Sequence, residues 1–513
     1  MRPRPLYIAV LLIFFLFEGN AQKKNFEYLD IFDLEYVSDP QISPDGEWVI
    51  YRRMGFDILK DKAVGNLWMI RTDGSNHQKL TSRESNESSP RWSPNGTLLA
   101  FTSSTDEGSE IYIYWNASGK YARISQLPFS PSSLTWSPDG KQLAFSMNVK
   151  KKPPVIAKIP EKPKDAKWAK SPRITDRLYH EADGRGYIEP GFNHIFVIPS
   201  DGGAPRQITS GDFHHRGKLS WSNDGTTIYF SGNRSDDWEY DFRNSEIYSL
   251  DVSNGNVKAL TNRNGPDSRP SVSPDGKHIA YIGFKDKVQA YQVRKLHLMD
   301  TEGANQRAIS EGLDRSVSDL VWDAKSSGLY FLYDDKGNTK IGYISISGKI
   351  NKLVDDVGGT SIGRPYSGGS FSVSNNGDLA YTHSRPSHPS ELAIHSSKAK
   401  NPSKITSLNK ALFDYRTLGK VEEVWYKSSI DQRDIQAWVV YPPDYDANKK
   451  YPFLVENHGG PILNYGDRFS TEIQLFAAAG YVVFYPNARG STSYGEEFGN
   501  LLYNNYPGED YND

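Results

Sequence analysis

The polar positions of this chain fall into a recurring turn, and apolar positions alternate on either side of it. Ser43-Pro-Asp-Gly46 is followed by Ser93-Pro-Asn-Gly96, Ser137-Pro-Asp-Gly140, Ser222-Asn-Asp-Gly225, Ser273-Pro-Asp-Gly276, a degraded copy at Asp323 to Gly328, and Ser374-Asn-Asn-Gly377. The copies recur roughly every fifty residues, with one wider gap between Ser137 and Ser222. Proline pre-sets the second position of a type I turn, Asp or Asn suits the third, and glycine takes the left-handed fourth. Short stretches flank each turn. In the second copy Pro90-Arg-Trp92 enters it, Leu98 to Thr102 leaves it, Glu110 to Trp115 follows, and Tyr121 to Ser125 completes the unit. Such four-stranded units are propeller blades, which hide their edges by radial packing, and the pattern predicts seven of them. Each blade supplies its own strands, so no N-terminal strand is expected to latch blade one to blade seven.

The wide gap predicts an insertion. Blade three starts at Leu134-Thr-Trp136 and Leu143-Ala-Phe145 but resumes only at His194 to Ile198, which places the insertion over residues 149–190. Its first part, Lys150 to Lys164, is basic and proline-rich, the composition of a solvated, extended loop. Tyr179, Tyr187 and Phe192 predict that the later part docks on a neighbour.

After residue 412 the pattern changes. Val421 to Lys427 and Ile435 to Tyr441 read as β-rich strands, Tyr451 to Glu456 as a third, Phe469 to Ala479 as a helix stopped by Gly480, and Tyr481 to Tyr485 as a fourth strand. The third strand runs into Gly459-Gly460, where a backbone without Cβ atoms can turn sharply and present bare N–H groups. The domains expected are therefore an N-terminal signal over 1–21, a seven-bladed β-propeller over 22–412, and the N-terminal part of an α/β domain over 413–513.

Composition narrows the picture. The 513 residues are 37% hydrophobic and 13% aromatic, enough to bury two cores, and a formal net charge of −2 argues against a dedicated nucleic-acid binder. There are no cysteines, so disulfides, thiolate metal sites and a cysteine nucleophile are excluded together. Met1 to Ala21 has Arg2 and Arg4 before an apolar Leu6 to Phe17 core and small residues at Gly19 and Ala21, the layout of a secretory signal. That core is short for a membrane span, and an uncleaved anchor is the alternative. Export without cysteine points to the periplasm. His214-His215 lacks a third ligand at metal spacing, and the Asp-Gly turns lack the alternating acids of a calcium loop.

His458-Gly-Gly-Pro461 and Asn487-Ala-Arg-Gly-Ser-Thr-Ser-Tyr-Gly495 resemble the start of the catalytic domain of the prolyl oligopeptidase family of serine peptidases, most like its acylaminoacyl-peptidase branch. The resemblance implies an all-β seven-bladed propeller followed by the incomplete N-terminal part of an α/β-hydrolase domain. It also implies cleavage of short peptide substrates through an acyl-serine, with no metal or organic cofactor. By that match Gly460 is the candidate oxyanion donor, His458, Gly459 and Pro461 shape its turn, and Arg489 braces the following loop. His458 precedes the nucleophile region, whereas hydrolase order is Ser, Asp, His, so it is read as structural. Ser493 has Gly490 three residues before it rather than two, which fails the spacing of a nucleophile elbow, and no Gly-x-Ser-x-Gly elbow is expected anywhere in the chain. The triad is therefore expected beyond Asp513 and these residues alone are expected to be inactive. The sheet is expected to expose its Tyr481 to Tyr485 edge and the apolar face of the Phe469 to Ala479 helix. A propeller interaction module similar to the TolB type is the rival reading, because blade motifs occur in both.

Overall fold

The computed structural model describes residues 23–513 apart from 82–84, 107, 153, 158–159, 170–171 and 360; the expected signal lies outside the described residues. Among them, seven four-stranded antiparallel blades succeed one another from Tyr36 to Lys404, each built from strands that follow in chain order, blade three with its insertion between the second and third. Blades six and seven also touch through the pair Val357↔His383. Local chemistry sets each turn. Ser43 Oγ donates to Asp45 Oδ1 at 2.5 Å and accepts from Trp48 N at 3.0 Å, while Gly46 takes φ +81°. Ser137, Asp139 and Gly140 repeat the arrangement, as do Ser273, Asp275 and Gly276. In the degraded copy Asp323 Oδ1 accepts from Lys325 N and Ser327 N, and Ser326 takes the left-handed position at φ +57°.

Blades are stitched to one another by the tryptophan before the turn. Trp92 Nε1 donates to Gln41 O, Trp136 Nε1 to Arg91 O and Trp322 Nε1 to Ser271 O, each reaching the inner strand of the preceding blade. Aromatic pairs fill the space between: Phe101 stacks on Tyr112, Phe145 on Phe196 and Phe230 on Tyr248, all in cross-strand register within a blade. Among the described residues, blades one and seven share no strand at their seam. It holds through Val37, Val49, Tyr51, Ala380 and Leu392, all fully buried, and through Ser390 Oγ donating to Val37 O at 2.6 Å.

The blade-three hairpin stays paired out to Lys150↔Gly191, so the insertion occupies 151–190 rather than 149–190, and Phe192 lies in the strand, buried. The insertion's later part forms the small hairpin Glu181–Ala182 with Gly186–Tyr187, and Tyr179 meets Phe242 of blade four edge-on at 6.2 Å. Its earlier lysines, Lys162, Lys164 and Lys167, are exposed.

The α/β segment orders its strands Lys420–Lys427, Asp434–Tyr441, Val482–Asn487, Phe453–Val455. Val482–Asn487 runs antiparallel to Asp434–Tyr441 and parallel to Phe453–Val455. The fourth strand is thus interior, contrary to expectation. The crossover through helix Thr471–Ala478 returns the chain inside Phe453–Val455, which becomes the edge and leaves Phe453 61% exposed. The helix face is not bare either. Ser470 Oγ caps Ile473 N at 3.2 Å, Ile473 and Ala477 pack on the sheet, and Phe469 and Leu475 meet Phe26, Leu34, Leu412 and Phe413. Phe26 belongs to an N-terminal arm. Lys24–Asn25 pairs in parallel with Arg416–Thr417, so residues 24–34 pack on the α/β segment and the propeller proper begins at Tyr36.

Two outcomes follow from this packing. Leu392→Ala should lower the propeller's stability by about 2–5 kcal/mol, because a cavity opens at a seam that no shared strand spans; a urea midpoint within about 0.5 kcal/mol of the parent would show that the seam does not depend on it. Trypsin should cut first after Lys164 or Lys167, leaving the blades as protected fragments; first cuts within a blade hairpin would be the contrary result.

Candidate active site

Strand Phe453–Val455 delivers the chain to the His458-Gly-Gly-Pro461 turn. Under it, His458 Nε2 lies 2.9 Å from Ser491 Oγ and the ring sits edge-on to Tyr465 at 5.3 Å. This pair is not a base and its nucleophile. The Ser491 hydroxyl donates to Ala488 O at 2.6 Å, so towards His458 Nε2 the Ser491 oxygen acts as the acceptor. Burial lowers the imidazole pKa, with the Gly459 carbonyl pulling the other way, and Ser491 is itself buried.

The glycines face outward. Gly459 and Gly460 are exposed, and neither N–H has an acceptor among the described residues. Gly460 takes φ +132°, and a Cβ there would lie 2.8 Å from Ile462 N, whereas a Cβ on Gly459 would meet nothing within 4 Å. Exposed, fixed N–H groups are what an oxyanion needs.

The second loop is tied from three sides. Asn487 exchanges hydrogen bonds with Tyr465, accepting from its N at 2.8 Å and donating to its O at 2.9 Å. Arg489, 6% exposed, grips Asp513 with Nε to Oδ2 and Nη2 to Oδ1, both at 2.8 Å, and donates from Nη2 to Ser428 Oγ at 2.9 Å. These bonds raise the Arg489 pKa, Asp513 first among the causes. Ser493, at φ +83°, accepts from Gly337 N at 2.8 Å, and its carbonyl accepts from Lys336 N at 3.1 Å, so it holds the tip of a blade-six hairpin.

One further serine needs placing. Contrary to that expectation the chain does hold one Gly-x-Ser-x-Gly, Gly359-Thr-Ser-Ile-Gly363, in the link between blades six and seven. It leads to the blade-seven strand Phe371–Val373 rather than to a helix, as an elbow would require. Its carbonyls serve the domain seam: Gly363 O accepts from Ser470 Oγ at 2.6 Å and Ile362 O from Thr471 N at 2.9 Å.

A cavity of about 980 Å³ opens between the two domains, beginning two residues after Gly460. Ile462, Leu463, Asn464, Thr492 and Ser493 form its hydrolase wall, and the propeller supplies Arg243, Arg269, Gln289, Tyr291, Arg294 and Tyr366 among others. Arg269 also lines the propeller's central channel, about 710 Å³, so the two spaces meet there. In that channel Lys218 Nζ donates to Leu320 O at 2.7 Å. Its side chain reaches channel solvent yet is hemmed in by protein, and that desolvation brings its pKa down to about 8, Arg269 and Arg91 adding to the fall and Asp319 opposing it. The sequence carries no local signal for these cations, which converge from different blades.

A propeller set over the oxyanion side of an α/β-hydrolase sheet defines a propeller-capped hydrolase. Comparison with known proteins agrees: profiles described as "TolB beta propeller domain", "Dipeptidyl peptidase IV (DPP IV) N-terminal region" and "Prolyl oligopeptidase family" match residues 32–164, 157–283 and 467–513. Dipeptidyl-peptidase 5 of Porphyromonas gingivalis is 28% identical over 508 residues, covering 94% of this chain and 70% of its own. An uncharacterized peptidase of Bacillus subtilis, YuxL, is 27% identical over 500 residues, covering 94% and 74%. Pyrococcus horikoshii acylaminoacyl peptidase shares the fold at a TM-score of 0.75 with 19% identity, over 94% of this chain and 70% of that one. Residues 467–513 thus resemble the prolyl oligopeptidase family of serine peptidases, and the curated relatives that span most of the chain are peptidases, one of them a dipeptidyl-peptidase.

The two glycines should respond differently to substitution. Gly460→Ala forces a side chain into a left-handed backbone against Ile462 N and should destabilise by about 1–3 kcal/mol, whereas Gly459→Ala should stay within about 0.5 kcal/mol of the parent. Equal melting shifts for the two would remove the conformational argument. Arg489→Met leaves the enclosed Asp513 carboxylate unpaired and should cost about 3–5 kcal/mol in a denaturant titration; a loss below about 1 kcal/mol would mean that the loop is braced elsewhere.

Proposed function

We propose that this chain contributes the propeller and the oxyanion side of a secreted, periplasmic serine peptidase that cleaves short peptides through an acyl-serine. The observation that carries the reading is the Gly459-Gly460 turn, with two outward N–H groups, at the border of a closed-in cavity under a propeller. In the reaction the serine oxygen attacks the peptide carbonyl and the carbonyl oxygen takes up negative charge. Gly460 N–H donates to that oxyanion, while Arg489 and Asn487 keep the adjoining loop in place. The propeller limits entry, since a folded protein cannot enter a space of about 980 Å³. Among the described residues no serine sits in an elbow with a base beside it, and on this reading they do not form the acyl-enzyme alone.

A second reading, a propeller interaction module, is favoured by the match of residues 32–164 to the TolB propeller profile. A fluorophosphonate probe separates the two. Labelling of the full-length gene product, with none on residues 1–513, is expected; absence of labelling and of peptide turnover in the full-length protein would favour the module. Fractionation of the producing cells should place the protein in the periplasm, and cytoplasmic recovery would refute export.

A further inference from the structure

The interdomain cavity is charged in one sense. Its lining includes three arginines, Arg243, Arg269 and Arg294, against one acid, Asp334. Arg269 is neutralised by Asp319. Arg243 and Arg294 have no carboxylate within ion-pair distance among the described residues; Arg243 only donates from Nη1 to Gln289 O at 3.3 Å. Asp334 is already engaged, its Oδ1 accepting from Thr339 Oγ1 at 2.6 Å and its Oδ2 from Ser367 Oγ at 2.9 Å. Beside Arg243, Gln289 keeps a buried Oε1 with no partner. A guanidinium recognises a carboxylate by two parallel N–H bonds, and both Arg243 and Arg294 are exposed to solvent at the cavity. A free α-ammonium needs the opposite, an uncommitted carboxylate, and the lining offers none.

We infer that this cavity selects peptides that present a carboxylate, held by Arg243 and Arg294, over peptides that present a free ammonium group. The inference rests on the peptidase reading for its substrate class, but the binding step is separable from the chemistry. The carboxylate can be the C-terminus of a short peptide or an acidic side chain, and both offer the same planar pair of oxygens.

Isothermal titration of the chain with four tripeptides tests this. Acetyl-Ala-Ala-Ala-amide is neutral, acetyl-Ala-Ala-Ala carries a C-terminal carboxylate, acetyl-Ala-Asp-Ala-amide a side-chain carboxylate, and Ala-Ala-Ala-amide an ammonium. At least one carboxylate peptide should bind about tenfold tighter than the neutral one, an advantage that shrinks with added salt, and whichever of the two wins identifies the source. Arg294→Gln and Arg243→Gln should each remove most of that advantage, with melting temperature as the check that the fold is intact. Tightest binding of the ammonium peptide, equal binding of all four, or an advantage that survives both variants would overturn the inference. Fluorophosphonate labelling reports on the peptidase reading independently, so failure of one leaves the other standing.

Discussion

Two backbones meet between Gly337 and Gly466, and the arrangement of the domains depends on that approach. A Cβ on Gly466 would lie 1.9 Å from Gly337 O, and one on Gly337 would strike Trp438 at 2.7 Å. The blade-six hairpin tip is thereby inserted between the hydrolase sheet and the Ser493 loop. Beside it Arg468, 2% exposed, spends its guanidinium on the propeller: Nη1 donates to Asn338 Oδ1 at 2.9 Å and Nη2 to Val357 O. Desolvation lowers its pKa to about 10, with Asp467 first among the groups that hold it up, so the group stays charged at neutral pH. Arg385 extends the contact by pairing with both Asp356 and Asp467. A buried charge committed to carbonyls and amides specifies one docking geometry more than it adds stability.

That docking shapes the candidate site. Gly466 and Arg468 follow closely on the segment Ile462–Asn464 that walls the cavity, and the Tyr366 ring of the propeller packs tilted against Tyr465 with centroids 5.0 Å apart. The Gly459-Gly460 turn is therefore held from below by His458 and Ser491 and from the propeller side by this seam. Both glycines are exposed, and their N–H groups have no acceptor among the described residues. Rigid backbone donors lose little on reorganisation when charge develops, which is the physical basis of oxyanion stabilisation.

The propeller and hydrolase are also joined at their other side by the N-terminal arm. Phe26 is edge-on to Phe469 at 6.4 Å, and Arg416 pairs with Asp30, whose side chain is 6% exposed. The arm covers the helix that would otherwise present Phe469 and Leu475 to water. A strand contributed from nearly four hundred residues away stabilises through burial, since its two-residue ladder adds few hydrogen bonds.

The sequence by itself determined the blades and the order of the hydrolase elements, because the information is local. A Ser-Pro-Asp-Gly turn satisfies its own hydrogen bonds within six residues, and a period of two names the buried face of each strand. It also marked Gly460 and Arg489, each carried by a short motif. Only the tertiary structure decided that Val482–Asn487 is interior, that residues 24–34 serve the hydrolase, that Ser493 receives a blade-six hairpin, and that Arg243 and Arg294 face one cavity. These depend on pairings between residues separated by tens to hundreds of positions. No local propensity encodes them; they are settled by which surfaces must close on each other to exclude water.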